Sequence, residues 1–243
     1  MKTKIKKKTL VRRTHHKKVA VFDIDGTNFR SSLVIELTEG LILAGVFPEK
    51  IRKIYSHEQE SWIERKGSYE EYINAVVKAF HIGIKGVKEK DFLPVVERVV
   101  SFRKDRVYRY TRDLAKKLKK KSYYLLAISH SPMYVVGRFG RQMSFDKVYG
   151  GLLELDAKKR FTGGMLHREL IFDKAKILKR AIEKENLTLK GSIGVGDTGS
   201  DIPFLKMVEN RICFNPNSAL YREAKKRGWK IVVERKDVIY QIK

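Results

Sequence analysis

Cysteine is almost absent from this chain of 243 residues, in which Cys213 is the single one. An intramolecular disulfide is therefore excluded, and Cys213 is expected to be a small buried residue in an apolar stretch. The sequence also lacks an apolar run long enough to span a bilayer, and no signal-peptide pattern opens it. These absences predict a soluble, cytoplasmic protein without a membrane span.

Acidic residues are scarce beside basic ones, with 28 Asp and Glu against 53 Lys and Arg and a formal net charge of +25. Residues 1–17 contain no acidic residue and are predicted to form a basic tail. A positive field attracts anions such as phosphorylated metabolites, nucleic acid or acidic membrane surfaces. No recognised motif accompanies the charge, so nucleic-acid binding through the tail has no further support. Nothing in the sequence indicates an oligomeric state.

Hydrophobic spacing divides the first half of the chain into a strand and a helical block. The apolar run from Val19 to Phe22 predicts a short buried strand. Residues 30–107 then show helical spacing, with a capping box at Ser68–Glu71 and with Asp91 expected to cap a further helix. This block contains no convincing strand pattern, so a small helical bundle is predicted.

From residue 108 onward, predicted helices and strands alternate. Alternation of this kind predicts an α/β fold with a doubly wound, mostly parallel, Rossmann-like sheet that is covered on both faces. Ser131 and Pro132 are expected to start one of its helices as N-cap and first-turn residue. The α/β core is therefore assigned to residues 18–29 and 108–243, and residues 30–107 are predicted to be a helical cap inserted after the first strand.

Three predicted strands end in polar loops, which are Asp23-Ile-Asp-Gly-Thr27, Ser129-His-Ser-Pro132 and Gly196-Asp-Thr-Gly-Ser-Asp201. Ligands of doubly wound sheets bind beyond the carboxyl ends of the strands, so these loops are expected to meet. Aspartate is also common in turns and caps, but three such loops favour a site over that interpretation. Converging carboxylates repel one another and offer only hard oxygen ligands, which indicates Mg²⁺.

These segments resemble the four motifs of the haloacid dehalogenase-like hydrolase superfamily. The matching positions, in chain order, are Asp23–Thr27 (DxDGT), Ser129, Lys174 and Gly196–Asp201 (GDxxxD). The stretch from Gly151 to Gly164 is similar to the phosphoserine-phosphatase-like subgroup, which carries a helical cap of the C1 type after the first motif. The resemblance covers residues 18 to about 235.

The resemblance implies a Mg²⁺-dependent phosphatase that acts through an aspartyl phosphate. Its catalytic residues would be Asp23 as nucleophile, Asp25 as general acid and base, Ser129 and Lys174. Phosphate oxygens would be held by Thr27, Ser129, His130 and Lys174. The metal would be bound by Asp23, Asp25 through its main-chain carbonyl, and Asp197, with Asp201 orienting these ligands from behind. Lys176 is the alternative to Lys174.

Two departures from the phosphoserine phosphatase pattern bear on the substrate. In phosphoserine phosphatases a carboxylate side chain binds the amino group of phosphoserine, and Ser32 stands at that position here. An arginine binds the carboxylate of phosphoserine, and Val76 stands at that position. A different small phosphorylated metabolite is therefore expected, such as a sugar phosphate, glycerol phosphate or nucleoside monophosphate. Two alternatives stay open: a phosphotransferase that uses the same intermediate, and a basic binder of nucleic acid or anionic surfaces on a retained phosphatase fold.

Overall fold

The computed structural model describes residues 16–242 and shows an eight-stranded sheet. The strands are β1 Lys17–Asp23, β2 Tyr124–Pro132, β3 Lys147–Leu155, β4 Phe161–Leu166, β5 Leu187–Gly196, β6 Asn210–Phe214, β7 Lys230–Arg235 and β8 Val238–Ile242. Their order across the sheet is β4-β3-β2-β1-β5-β6-β7-β8. Pairing is parallel from β3 to β7, and β4 and β8 add antiparallel edges. The predicted α/β class with a mostly parallel sheet is confirmed.

The α-helices within the described residues all fall between β1 and β7 in chain order. They are α1 Leu33–Leu43, α2 Ser56–Ile63, α3 Tyr69–Ile84, α4 Glu89–Arg103, α5 Arg109–Lys120, α6 Met133–Gln142, α7 Arg168–Ile171, α8 Lys174–Glu185, α9 Ile202–Leu205 and α10 Ser218–Arg227. Short 3₁₀ turns stand at Glu49–Ile54 and Gly199–Asp201.

Strand β1 shows why the sheet is covered on both faces. Ala20 and Phe22 belong to a hydrophobic core that includes residues of α5 and α6, whereas Val19 and Val21 belong to a second core with α8 and α10. All four side chains are fully buried. A strand buried on both faces requires a continuous apolar run rather than alternation, and this is the pattern that the sequence carries.

Helices α1 to α4 lie between β1 and α5, within the block predicted to be helical. The capping box is confirmed: the Ser68 hydroxyl accepts a hydrogen bond from the Glu71 N–H at 3.1 Å, and the Glu71 carboxylate accepts one from the Ser68 N–H at 2.8 Å. The expectation for Asp91 is wrong, because α4 already begins at Glu89 and its N-cap is Lys88. Helix α4 packs against α6, and α3 packs against β4. A division into core and cap stays a prediction.

Helix α6 begins one residue later than predicted. Pro132 is the last residue of β2 and stands at the N-cap of α6 with φ −56° and ψ 134°, so Ser131 is not the N-cap. The Ser131 hydroxyl instead accepts a hydrogen bond from the Val34 N–H at 3.2 Å, which ties β2 to α1. The edge strand β8 has no counterpart in the sequence prediction.

Residues 1–15 of the predicted basic tail lie outside the described residues, and Lys17 is already part of β1. The lysines between residues 116 and 121 lie on the exposed side of α5 and just after its end. Among residues 16–242, no helix combines the length and the apolar character that crossing a membrane requires.

Candidate active site

The carboxyl ends of β1, β2 and β5, with the residues that follow β1 and β5, meet at one edge of the sheet. Strand β1 lies between the other two and is parallel to both, with Asp23 directly opposite Ile128 of β2. Ser129 lies within the last residues of β2, so the segment Ser129–Pro132, predicted to be a loop, is part of that strand, and Asp197 directly follows β5. The structure thus brings together the three polar loops that the sequence singles out.

Lys174 joins two of the predicted carboxylates. It is the first residue of α8 and is 3% exposed, and its Nζ donates to Oδ1 of Asp23 at 2.6 Å and to Oδ1 of Asp201 at 2.5 Å. Burial favours the neutral amine, but the two carboxylates outweigh burial and raise the pKa of Lys174, so the ammonium stays charged. Lys176 is exposed, and its Nζ lies 3.5 Å from Asp173. Of the two candidate lysines, only Lys174 reaches Asp23.

Asp23, Asp197 and Asp201 form the acidic cluster, in which one carboxylate oxygen of each residue lies within 4.8 Å of the others. All three residues are buried. Burial raises the pKa of Asp23 to about 8 although Lys174 opposes the shift, and burial together with Asp23 raises the pKa of Asp197 well above its ordinary value. Full ionisation of the cluster is therefore unfavourable unless a cation joins it. Its all-oxygen donor set suits Mg²⁺.

Gly26 and Thr27 position Asp197 from the first loop. Gly26 has a φ of +78°, and a Cβ atom built on it would lie 2.0 Å from Oδ2 of Asp197. The fully buried Thr27 donates its hydroxyl to the other oxygen, Oδ1, at 2.9 Å. Only glycine allows both this backbone conformation and this close approach.

Asp201 holds the loop that carries Asp197. Its Oδ2 accepts hydrogen bonds from the main-chain N–H groups of Asp197 at 2.9 Å and Thr198 at 3.0 Å, while its Oδ1 accepts from Lys174. Both carboxylate oxygens therefore already have N–H donors. This bonding suits a residue that orients the loop rather than one that presents free oxygens to a ligand.

Asp25 is not one of the three residues whose oxygens converge. Its Oδ1 accepts a hydrogen bond from the Leu33 N–H at the start of α1, at 2.5 Å, and its Oδ2 accepts one from the Ser129 hydroxyl. Ser129 is fully buried, and its Oγ also accepts from the Ser131 N–H at 2.9 Å. The predicted general acid and the predicted phosphate-binding hydroxyl are thus in direct contact.

His130 follows Ser129 and lies beside the acidic cluster. Burial lowers its pKa to about 4 and Lys174 adds to that effect, so the imidazole is neutral at neutral pH. Its ring centroid lies 5.1 Å from that of Phe172. Its Nε2 is buried and has no hydrogen-bond partner within residues 16–242. A buried polar atom of this kind can be satisfied by a bound ligand.

Sequence reasoning assigned no role to Asn28. This fully buried side chain donates from Nδ2 to the main-chain carbonyl of Asp23 at 2.7 Å, and its Oδ1 has no partner in the described part of the chain. Asn28 therefore fixes the backbone on which the predicted nucleophile stands. Its position directly after the turn at Gly26 and Thr27 was the available signal, because asparagine often bonds to nearby backbone groups in turns.

Comparison with known proteins identifies the family. The sequence profile described as haloacid dehalogenase-like hydrolase matches residues 20–206. The chain belongs to this family. A curated relative, the phosphoserine phosphatase of Archaeoglobus fulgidus, is 25% identical over 205 residues, which make up 84% of this chain and 54% of the relative. This haloacid dehalogenase-like hydrolase therefore spans about half the length of that relative.

Solved structures agree with the assignment at the level of the fold. A Bordetella pertussis protein of unknown function superimposes with a TM-score of 0.72 at 16% identity, over 89% of this chain and 98% of that one. Phosphoserine phosphatase in its apo form superimposes with a TM-score of 0.62 at 21% identity, over 91% of this chain and 95% of that one. At these identities the likeness shows a shared fold.

Proposed function

We propose that this haloacid dehalogenase-like hydrolase is a Mg²⁺-dependent phosphatase that hydrolyses a small phosphomonoester through an aspartyl phosphate on Asp23. The observation that carries the proposal is the setting of Asp23, a buried carboxylate 2.6 Å from the Lys174 ammonium and within the acidic cluster. The family and the name of the archaeal relative support the reaction type.

The donor set of the acidic cluster fits the metal. Asp23 and Asp197, with the main-chain carbonyl of Asp25, would hold Mg²⁺, and Asp201 would orient these ligands because its own oxygens already accept N–H donors. When bound, the ion offsets the negative charge of the cluster and of the substrate phosphate.

The reaction needs one nucleophile and one proton carrier. An oxygen of Asp23 attacks phosphorus, so that a new P–O bond forms while the bond to the leaving oxygen breaks. Asp25 gives its proton to that leaving oxygen and then takes a proton from the water that attacks the aspartyl phosphate, releasing inorganic phosphate and free Asp23. Hydrogen bonds from Leu33 and Ser129 hold the Asp25 carboxylate at the site.

Lys174, Ser129, Thr27 and His130 are proposed to bind the phosphate oxygens. Lys174 is already a charged donor beside the nucleophile. The Ser129 hydroxyl would exchange Asp25 for a phosphate oxygen, since a hydroxyl has only one proton to donate. The Thr27 hydroxyl is donated to Asp197, so Thr27 would contribute through its main chain. His130 would contribute its main-chain N–H.

The substrate is proposed to be a phosphomonoester other than phosphoserine. Ser32, at the N-cap of α1, is buried and carries no charge, and Val76 is fully buried in the hydrophobic core. Neither position supplies a charged partner for an amino acid leaving group, and a site without such partners discriminates poorly in favour of one.

The Asp23→Asn variant tests the mechanism. An amide is a poor nucleophile and cannot form the aspartyl phosphate, so we expect Mg²⁺-dependent phosphate release to fall to background in a screen of phosphomonoesters. Asp91→Asn is the matched control, because Asp91 is exposed on α4 and should leave activity unchanged. The two variants should share the circular dichroism spectrum of the parent. Equal activity of Asp23→Asn and the parent would refute the mechanism. A second measurement adds glycerol to the parent enzyme as an acceptor. If more ester is then consumed than phosphate is released, the reaction is transfer instead of hydrolysis.

A further inference from the structure

Exposed lysines gather at the amino ends of the central strands, at the edge of the sheet opposite the acidic cluster. Strands β1, β2, β3 and β5 are parallel neighbours, so the residues that open them lie along this edge. The lysines come from the starts of β1 and β3, from the end of α5 and from the first half of β5. We call them the basic edge, which consists of Lys17, Lys18, Lys119, Lys120, Lys121, Lys147 and Lys190.

Contacts between these segments hold the basic edge together. The hydroxyl of Tyr123, shortly after α5, donates a hydrogen bond to the main-chain carbonyl of Gly191 in β5 at 2.9 Å. A Cβ built on Gly191 would lie 3.3 Å from Nζ of Lys18, so the Lys18 side chain lies against the same point of β5. The segments that carry Lys18, Lys121 and Lys190 therefore adjoin one another.

The acidic side chains at this edge leave most of its positive charge in place. Asp146 pairs with Lys119 at 2.6 Å, and Glu185 lies 3.7 Å from Lys147. The carboxylate of Glu209 accepts a hydrogen bond from the main chain of β5. Within residues 16–242 the other lysines of the edge have no ion-pair partner, and these are Lys17, Lys18, Lys120, Lys121 and Lys190.

The basic edge is separated from the acidic cluster by the length of the strands. Strand β1 has Lys17 at one end and Asp23 at the other, which places the two about 20 Å apart at about 3.3 Å per residue. A phosphate beside Asp23 is therefore out of reach of these lysines. The basic edge fits a second, larger anion.

We propose that the basic edge binds the phosphate backbone of a nucleic-acid duplex without reading its sequence. Four neighbouring strands at a spacing of about 4.8 Å spread the lysines over roughly 15 Å, a span that several phosphates of a duplex occupy. The chain also reaches β1 from residues 1–15, which contain Lys and Arg but no Asp or Glu. The tyrosines beside these lysines, Tyr123, Tyr124 and Tyr149, are half-buried, so the edge offers charge rather than the exposed aromatic platform that single strands use.

An anionic membrane fits this surface less well than a duplex does. Helices that bind in a bilayer interface expose apolar residues beside their charges. The apolar residues Ala115 and Leu118 of α5 are instead buried in the core. The large apolar side chains that are exposed among residues 16–242 lie elsewhere, including Leu152 in the second half of β3.

Fluorescence anisotropy of short labelled DNA and RNA duplexes, titrated with the full chain over a range of salt, tests the proposal. The edge variant combines Lys18→Gln, Lys120→Gln, Lys121→Gln and Lys190→Gln. The matched control removes the same charge from exposed lysines between β1 and α5, by Lys50→Gln, Lys53→Gln, Lys88→Gln and Lys90→Gln. Melting temperatures establish that both variants are folded.

We expect the parent to bind DNA duplexes of unrelated sequence with equal affinity, because backbone contacts carry no sequence information. The edge variant should bind them roughly tenfold or more weakly, and its slope of log K against log salt should be shallower by about 2–4, since each lost phosphate contact removes about 0.9. The control should change the slope by less than about 1. Whichever of the DNA and RNA duplexes binds more tightly is the source of the backbone.

Three results would overturn the proposal. Equal losses in the edge and control variants would show that binding follows net charge rather than this surface. Unchanged binding by the edge variant would place the duplex on another part of the chain. Binding of phosphatidylserine vesicles that depends on the edge lysines, without binding of any duplex, would make a membrane the partner. None of these measurements uses phosphate release, so their outcome is independent of the proposed function.

Discussion

A methyl group at residue 26 should disable the site without unfolding the chain. In Gly26→Ala, the new Cβ would lie 2.0 Å from Oδ2 of Asp197, whereas real Cβ atoms stay at least 3.0 Å from such neighbours. The carboxylate or the loop must therefore retreat by about 1 Å, and a misplacement of that size at a catalytic site costs on the order of a hundredfold in rate. Asp197 has little freedom to adapt, because it is buried and its other oxygen is bonded to Thr27.

A matched variant separates this contact from backbone strain. Gly26 and Gly45 have similar positive φ angles, +78° and +69°, but a Cβ at Gly45 would meet nothing within 4 Å. Each substitution by alanine should cost about 1–2 kcal/mol for a side chain in the left-handed region. For a chain of this size that corresponds to a melting temperature lower by roughly 2–8 °C. Only Gly26→Ala should also displace a proposed metal ligand.

The assay measures kcat/KM for phosphate release and the melting temperature of both variants, with and without Mg²⁺. Gly45→Ala should keep the activity of the parent and its stabilisation by Mg²⁺. Gly26→Ala should lose about two orders of magnitude in activity and part of the Mg²⁺-dependent rise in melting temperature. If Gly26→Ala matches Gly45→Ala in activity and metal response, then the approach of this loop to Asp197 does not matter for the reaction.

Two further predictions concern the charges of the site. Replacing Lys174 by methionine should abolish activity and lower the free energy of unfolding by about 3–5 kcal/mol, because the substitution leaves buried carboxylates unpaired. Activity assays and denaturant unfolding measure the two effects. In the same assays, Lys176→Met should change neither activity nor stability, because Lys176 is exposed and pairs only with Asp173. The metal-free chain should lose stability as the pH rises from about 4 to about 8, because folded Asp23 keeps a proton that the unfolded chain has released. The Mg²⁺-induced rise in melting temperature should grow over that same interval, since the metal must displace this proton. A stability profile that is equally steep in Asp23→Asn would contradict the assignment to Asp23.

The three polar loops could be predicted to meet because the evidence for them is local. Each follows an apolar run that is short enough to be a strand, and the alternation of strands and helices makes the sheet parallel, which puts all strand ends that precede helices at one edge. Lys174 could be favoured over Lys176 for a similar reason. Asp173 is a good N-cap, and its side chain does accept a hydrogen bond from the Lys176 N–H, which fixes Lys174 as the first residue of the helix.

Residues whose roles depend on distant contacts could not be predicted. The hydroxyl of Thr27 is an example, because it is expected to bind phosphate but donates to Asp197, which lies 170 residues further along the chain. The errors at Asp91 and Ser131 have a related cause. Both residues are good N-caps by type, but helix starts are set by the whole chain path, and Ser131 bonds to Val34 across 97 residues instead.

The charges of the acidic cluster explain why a strongly basic protein buries aspartates at all. Three ionised carboxylates and the Lys174 ammonium leave a net charge of −2 in a place from which water is largely excluded. A divalent cation cancels that charge, whereas a phosphate dianion approaching the bare cluster would be repelled by it. The raised pKa of Asp23 shows that the protein alone does not stabilise the ionised nucleophile. Under the proposed function, metal binding therefore keeps Asp23 ionised and lets the substrate phosphate approach it. Without the metal, a cationic surface could attract phosphate esters to the protein, but the negative cluster would still repel them at the site.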